Sequence, residues 1–218
     1  MSERRIAVIA AGLSNPSSTR LLADRLSTAV TRELAASADS VTADVLELRD
    51  HAHDVVNNPP MGFPSPALET AINTVVSADA LIAVTPIFAT SYSGLFKSFL
   101  DVIDPDALTG VPVLIGANAG TSRHSLAIDY AIRPLFTYLH AAPVSTGVFA
   151  ASGDWGHSGD EGVDASPLSA RIDRAARELA TAVLAREATG PVLDAFDPES
   201  YLGAGGSFGH LLGGLAGD

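Results

Sequence analysis

Cysteine is absent from the 218-residue sequence, which excludes disulfide bonds, thiolate catalysis and zinc–thiolate sites. Basic residues are few, because 13 Lys and Arg stand against 25 Asp and Glu, giving a formal net charge of −12. That balance disfavours non-specific binding to nucleic acid or to an anionic membrane surface. No apolar run approaches the length of a membrane span, and the run after Arg5 is too short for a signal peptide. Since nothing argues for export, we expect a cytoplasmic protein.

The composition that remains is that of a folded domain. Hydrophobic residues make up 47% of the chain and charged residues 17%, which favours a globular protein over a disordered one. The length suits one α/β domain, which we place at residues 1–190. Residues 191–218 form a glycine-rich C-terminal tail. With Tyr201 and Phe208 among its apolar residues, the tail is either a loose terminus or a segment that docks on a neighbouring subunit.

Apolar runs and helical stripes alternate along the chain. The predicted strands are residues 5–11, 41–48, 81–85, 111–117 and 143–148. The predicted helices are residues 18–34, 66–76, 93–103, 122–139 and 166–186, with Pro134 expected to interrupt the fourth. Four prolines and two asparagines predict a long loop over residues 51–66. Strands that alternate with helices indicate an α/β fold with a doubly wound, five-stranded parallel sheet, and the flavodoxin-like strand order 2-1-3-4-5 fits best.

The loop between the first strand and the first helix concentrates hydroxyl groups. Its four hydroxyl residues are Ser14, Ser17, Ser18 and Thr19. Backbone N–H groups at a helix N-terminus carry partial positive charge, so a phosphate monoester would fit here. The loop has neither the Walker pattern nor the dinucleotide-binding glycine pattern. The alternative is an ordinary helix cap, since serine and threonine are favoured there in any case.

Two further loops follow the third and fourth predicted strands. Pro86, Ile87, Phe88 and Ser91 lie in the first of them, and could form an apolar floor under a planar ring, although simple packing is the alternative. The second loop contains small and polar residues that could contact the edge of such a ring, namely Asn118, Gly120 and Thr121. All three loops are expected at one edge of the sheet, where ligands bind in open parallel sheets.

These segments together resemble the NADPH-dependent FMN reductases, in particular the reductase components of two-component alkanesulfonate-type monooxygenase systems. The resemblance covers about residues 5–150. It rests mainly on the serine-rich first loop and on the segments Thr85-Pro86-Ile87-Phe88, Ser91-Tyr92-Ser93-Gly94 and Gly120-Thr121.

The resemblance implies an enzyme that passes hydride from NADPH or NADH to FMN. It implies that Ser14, Ser17, Ser18 and Thr19 hold the FMN phosphate, that Pro86, Ile87, Phe88 and Ser91 line the flavin ring, and that Asn118, Gly120 and Thr121 close its other edge. Because the cofactors carry the chemistry, we expect no catalytic side chain and no metal. A partner monooxygenase would receive the reduced FMN.

A homodimer or homotetramer is also implied. Its interface is expected on the helices after the third and fourth strands, through Phe96, Phe99, Leu100, Leu135, Phe136 and Tyr138. Tyr130 matches a tyrosine near the subunit interface of the resembling reductases, with core packing as the alternative.

Three other functions remain open from the sequence. The same loops would serve a quinone or azo-type reductase that keeps its FMN bound. The acidic charge would suit a flavodoxin-like electron carrier without NAD(P)H activity. A flavin-binding module without a redox role is the third alternative.

Overall fold

The structure, a computed structural model, describes residues 3–38, 40–155 and 167–186. The predicted tail at 191–218 and residues 156–166 of the acidic, glycine-rich segment lie outside the described residues. Within the described ranges, no helix combines the length and the apolar character needed to cross a membrane.

A parallel sheet forms the centre of the molecule. Its strands are β1 (Glu3–Ala10), β2 (Ser40–Glu47), β3 (Ala80–Phe88), β4 (Ser91–Tyr92), β5 (Pro112–Ala119), β6 (Ala142–Pro143) and β7 (Val148–Ala151). The hydrogen-bonded order is β2-β1-β3-β5-β6, and every pair along it is parallel. β7 pairs with the later half of β5, so β6 and β7 are two pieces of the fifth predicted strand. The path matches the flavodoxin-like order predicted from the sequence.

The break between β6 and β7 is fixed by a helix that packs beside it. Glu178 accepts hydrogen bonds from the backbone N–H of Thr146 at 2.7 Å and from its hydroxyl at 2.6 Å. Burial raises the pKa of Glu178, but these hydrogen bonds outweigh it, and the net pKa lies below the ordinary value of 4.5.

Helices cover both faces of the sheet. They are α1 (Ser18–Leu34), α2 (Ala52–Met61), α3 (Pro66–Val76), α4 (Gly94–Leu100), α5 (Arg133–Tyr138) and α6 (Leu168–Ala185). Buried side chains of α1 and α6 form one core with the sheet, and those of α2, α3, α4 and α5 form a second core on the other face. This is the doubly wound arrangement expected from alternating strands and helices.

The predicted bounds of α1 and α3 are confirmed, because both helices begin at a serine cap. The side chain of Ser17 accepts a hydrogen bond from the backbone N–H of Arg20, at 3.2 Å. Ser65 does the same for Leu68, and Pro66 occupies the first turn of α3, where its missing N–H costs nothing.

The predicted loop at 51–66 is wrong, since α2 occupies most of it. Leu48 and Val55 are buried against the core, and this packing outweighs the prolines near the end of the helix. The helix stops at Gly62, whose φ of 75° is a left-handed cap that other residues adopt only with strain.

The predicted helix at 122–139 is interrupted, as Pro134 suggested. A short 3₁₀ turn covers Ser122–His124, a π-helical turn covers Ile128–Ile132, and α5 then begins with Pro134 in its first turn. Because proline has no N–H to donate, the helix restarts there rather than running through.

The prediction that six side chains of these helices form an apolar subunit interface is largely wrong. Phe96, Phe99, Leu100 and Phe136 are each no more than 1% exposed and belong to the core of this chain. Only Tyr138 of the six predicted residues is strongly exposed, at 71%.

A buried ionic cluster ties three distant segments together at the amino edge of the sheet. Arg4 lies 3.5 Å from the Asp79 carboxylate and donates to the backbone oxygen of Arg186 at 3.2 Å. Asp79 also accepts from the backbone N–H of Arg5 at 2.8 Å. Arg4 and Asp79 are 7% and 4% exposed, so the charges depend on one another for solvation.

Candidate functional site

The three predicted loops meet at the carboxyl edge of the sheet. The backbone N–H of Ala11, where the first loop begins, donates to the oxygen of Val84 in β3 at 2.9 Å. Pro86 in β3 is paired in register with Asn118 in β5. The loops after β1, β3 and β5 are therefore neighbours, as ligand-binding loops are in open parallel sheets.

A hydrogen-bonded group of three side chains joins the first loop to β5. Thr19 donates its hydroxyl proton to the Asn118 carbonyl oxygen at 2.8 Å, and the Asn118 amide donates to the Ser18 hydroxyl at 2.9 Å. Thr19 is 2% exposed and Asn118 7%, whereas Ser18 is exposed. We call this group the hydroxyl–amide junction.

The junction decides which hydroxyl protons remain available to a ligand. The proton of Thr19 is already donated to Asn118, so this buried hydroxyl has none to offer. Ser18 accepts from Asn118 and keeps its own proton, and Ser17 likewise accepts from the Arg20 N–H. The prediction that Ser14, Ser17, Ser18 and Thr19 contact a phosphate stays a prediction. The hydrogen bonds show that Ser17 and Ser18 keep a hydroxyl proton, whereas the Thr19 proton is given to Asn118.

Gly12 allows the first loop to fold closely on itself. A Cβ at this position would lie 2.1 Å from the Ser17 hydroxyl oxygen and 3.0 Å from the Thr19 Cβ. The absence of a side chain leaves room for the cap and the junction beside the free N–H groups of the first turn of α1. The loop thus has the donor set and the close backbone that a phosphate group needs.

The predicted loop after residue 85 is instead a strand that turns back on itself. β3 continues to Phe88 and pairs with β4 in an antiparallel hairpin. Its two turn residues, Ala89 and Thr90, have φ values of 46° and 69°. This is the left-handed geometry of a tight hairpin turn, which usually takes asparagine or glycine. Because Ala89 and Thr90 are neither, the turn could not be predicted from local residue preference.

The hairpin presents one large apolar side chain to the surface. Phe88 is 50% exposed, while Pro86 and Ile87 are buried and Ser91 is partly buried. Thr85 accepts from the backbone N–H of Ser93 at 3.1 Å and so holds the two ends of the hairpin together. Phe88 is accordingly the most exposed of the four residues predicted to form the apolar floor.

The residues predicted after β5 divide into two groups. Gly120 and Thr121 are exposed, and the Thr121 hydroxyl accepts from the Arg123 N–H at 3.4 Å. Asn118 is buried, and its amide serves the hydroxyl–amide junction. Its predicted contact with a ring edge stays a prediction.

Sequence reasoning missed Arg49 and Glu47. Arg49 donates to the backbone oxygen of Ser14 at 2.7 Å and lies 2.6 Å from Glu47, which also binds Arg20 at 2.6 Å. A hydrogen bond to Asp24 raises the pKa of Arg20 above its ordinary value, and Glu47 adds to this. The signal was available, because in the order 2-1-3 the end of β2 must lie beside the loop that follows β1.

Tyr130 lies on the π-helical turn and is 79% exposed, which excludes core packing as its role. Leu126 nearby in the chain is 62% exposed and Tyr138 is 71% exposed. The segment after β5 therefore has large side chains that the described part of the chain leaves exposed.

The fold and the site define a flavodoxin-like α/β protein with hydroxyl and amide groups gathered at the carboxyl edge of its sheet. Among the residues the structure describes, no group of three His, Asp or Glu side chains could hold a metal ion. Residues 4–156 match the family model described as NADPH-dependent FMN reductase, and the chain belongs to that family. It is accordingly an oxidoreductase that works with FMN and a nicotinamide nucleotide.

Three similar proteins support this assignment. An FMN reductase (NADPH) from Pseudomonas aeruginosa is 31% identical over 81% of this chain and 90% of its own length. The NADH-dependent FMN reductase SfnE from Pseudomonas putida is 33% identical over 78% of this chain and 88% of its own. The crystal structure of an oxidoreductase from Corynebacterium diphtheriae is 42% identical, with a TM-score of 0.79 over 86% of this chain and all of the other.

Proposed function

We propose that the chain is an NAD(P)H-dependent FMN reductase that binds FMN as an exchangeable substrate and releases it, reduced, to a partner flavin-dependent monooxygenase. The observation that carries the proposal is the hydroxyl–amide junction on the first turn of α1. It holds hydroxyl and backbone donors at the edge where the β3 and β5 loops converge. The similarity to SfnE, an NADH-dependent FMN reductase, supports the reductase activity.

The first loop would hold the phosphate of FMN. Ser14, Ser17 and Ser18 have hydroxyl protons to donate, and the first backbone N–H groups of α1 add partial positive charge. Thr19 and Asn118 would keep these donors in place from below, since both are buried. Gly12 provides the close approach of the backbone.

The other two loops would enclose the ring. Phe88 would provide apolar contact from the hairpin, with Pro86, Ile87 and Ser91 supporting it. Gly120 and Thr121 would bound the opposite side, where small exposed residues let a planar ring approach the backbone. FMN, when bound, supplies the hydride-accepting chemistry, so this chain needs only to orient the rings and exclude water.

We infer a homodimer or homotetramer in the cytoplasm. The exposed Leu126, Tyr130 and Tyr138 support association, because large apolar side chains grouped in one segment favour contact with another protein surface. We also retain the division into a domain at 1–190 and a tail at 191–218.

The test is oxidation of NADPH and of NADH by the purified protein, with and without added FMN. Turnover that requires added FMN and saturates with it is expected. Turnover that ignores added FMN but rises with a quinone would replace this proposal with a flavoprotein quinone reductase. If neither nucleotide is oxidised, an electron carrier or a flavin-binding module would take its place.

A further inference from the structure

Two arginines flank the first loop, one from each neighbouring element. Arg20 lies in the first turn of α1, directly after the loop, and Arg49 follows the end of β2. Arg49 touches the loop itself through its 2.7 Å hydrogen bond to the Ser14 oxygen. Residues 12–19 contain no lysine or arginine, so these two side chains bring cationic charge to the loop from outside.

One carboxylate holds both arginines. Glu47 Oε1 lies 2.6 Å from Arg20 Nη1, and Glu47 Oε2 lies 2.6 Å from Arg49 Nη2. The Glu47 side chain is only 16% exposed, and those of Arg20 and Arg49 are 37% and 26% exposed. A partly buried carboxylate between two cations interacts with them more strongly than a surface pair does.

A bound phosphate and the Glu47 carboxylate would draw on the same charges. Each guanidinium has five N–H donors, and Arg49 directs two of its nitrogens to Glu47 and to the Ser14 oxygen. Arg49 links the Glu47 carboxylate to the Ser14 oxygen of the first loop, so a phosphate in that loop would lie near a second negative charge, and like charges repel. Glu47 therefore opposes an anion in the first loop both by occupying donors and by its charge.

We propose that Glu47 is an affinity-setting residue, which restrains Arg20 and Arg49 so that the first loop binds a flavin phosphate weakly enough to release it. The proposal rests on the proposed function, because an enzyme that hands FMN to a partner must let it go. It assigns Arg49 as the cation that supports phosphate binding and Glu47 as the group that limits it. Removing Glu47 is then expected to strengthen binding rather than weaken it.

The experiment compares FMN with riboflavin, which has the same ring but no phosphate. Binding to the full-length protein is measured by the change in flavin fluorescence on titration, without nicotinamide nucleotide and therefore without turnover. For Glu47→Gln we expect FMN to bind about five- to tenfold more tightly, because one opposing charge near a dianion is removed. The affinity for riboflavin is expected to stay within about twofold of the wild-type value.

The matched control is Glu3→Gln, which makes the same change of residue and charge. Glu3 lies at the start of β1, the end of that strand away from the first loop. Glu3 is exposed and lies about 25 Å along the strand from the first loop. FMN affinity equal to wild type in this control assigns the gain to the position of Glu47. A gain of the same size in Glu3→Gln would overturn the proposal, because net charge alone would then explain it.

Arg49 is tested in the same assay with two variants that separate its charge from its hydrogen bond. Arg49→Lys keeps the charge, and Arg49→Gln keeps a donor for the Ser14 oxygen. We expect Arg49→Gln to weaken FMN binding about tenfold and Arg49→Lys to retain most of it. Combining Glu47→Gln with Arg49→Gln should remove most of the gain, since the released cation is absent.

The outcomes separate this proposal from the function on which it rests. If FMN is bound and reduced but Glu47→Gln leaves its affinity unchanged or weaker, the role of Glu47 is refuted and the reductase stands. If the wild-type protein binds neither FMN nor riboflavin, both the role of Glu47 and the proposed reductase function fail. Should Glu47→Gln unfold, as a thermal melt would show, an Arg49→Gln affinity for FMN equal to wild type would still overturn the proposal.

Discussion

Replacing Asn118 by alanine tests the hydroxyl–amide junction directly. Asn118 is 7% exposed and its amide group bonds both Thr19 and Ser18. The substitution removes both hydrogen bonds and leaves the Thr19 hydroxyl, itself 2% exposed, without its acceptor. Ser18 is exposed, so water replaces its lost partner. The penalty therefore falls mainly on Thr19.

The expected magnitude follows from these contacts. A net hydrogen bond contributes about 1 kcal/mol, and a buried hydroxyl left unpaired costs about 1–3 kcal/mol. Asn118→Ala should therefore lower the free energy of unfolding by about 2–4 kcal/mol. Thr19→Val, which replaces the hydroxyl by a methyl group, should cost about 1–3 kcal/mol because it leaves the Asn118 oxygen unpaired. In the double variant neither polar group remains, so its cost should be close to that of Asn118→Ala alone.

The assay is urea unfolding of the wild type, the two single variants and the double variant at one pH and salt concentration. The free energy of unfolding is extrapolated to zero urea, and the slopes are compared to check that the unfolded states are equivalent. The double-mutant cycle should show a coupling of at least about 1 kcal/mol between Thr19 and Asn118. Additivity within about 0.3 kcal/mol would refute the hydrogen bond and with it the assignment of donors in the first loop.

Three other predictions follow from the described contacts. Thr19→Val should keep the affinity for FMN within about threefold of wild type, whereas Ser18→Ala should weaken it about tenfold and leave riboflavin binding unchanged. Fluorescence titration measures both affinities. Equal losses of FMN affinity in the two variants would contradict the view that Ser18, and not Thr19, has a proton to donate. Glu178→Gln should lower stability by about 1 kcal/mol at neutral pH, because the lowered pKa of Glu178 adds stability above its ordinary value of 4.5 that is lost as pH falls through the folded value. The free energies of unfolding of wild type and Glu178→Gln, measured with urea, should thus converge towards about pH 3. A difference that stays constant with pH would show that the charge on Glu178 is not what stabilises the wild type. Gly12→Ala should weaken FMN binding about tenfold or more, because its Cβ would lie 2.1 Å from the capping hydroxyl, and an unchanged affinity would show that the loop tolerates the displacement.

Helix bounds and strand order could be predicted from the sequence wherever a local signal agreed with the tertiary structure. The stripe of apolar residues in α1 and the serine caps at Ser17 and Ser65 fixed both helices, because cap and periodicity act within a few residues. The strand order followed from the alternation of strands and helices, which leaves few topologies.

Elements could not be predicted from the sequence where contacts with distant segments outweigh the local preference of the residues. α2 forms through burial of Val55 despite its prolines, and the turn at Ala89 and Thr90 adopts positive φ without the residues that favour it. A single sequence does not show either effect, because the stabilising contacts come from other segments.

The candidate site shows the same division. The converging loops could be predicted, since strand order alone brings them together. The roles within them could not, because only side-chain placement shows that Asn118 bonds Thr19 and that Arg49 reaches Ser14. Both contacts join residues at least 35 positions apart in the sequence.

The buried cluster at the amino edge has a consequence for the order in which the chain folds during synthesis. Arg4 is synthesised 182 residues before Arg186, whose backbone oxygen is one of its hydrogen-bond acceptors. A growing chain can pair β1 with β2 and β3 early, but it holds a desolvated guanidinium short of a partner until α6 has been made. Completion of α6 thus provides the missing acceptor for Arg4, and a nascent chain stalled before α6 should remain accessible to chaperones at that edge.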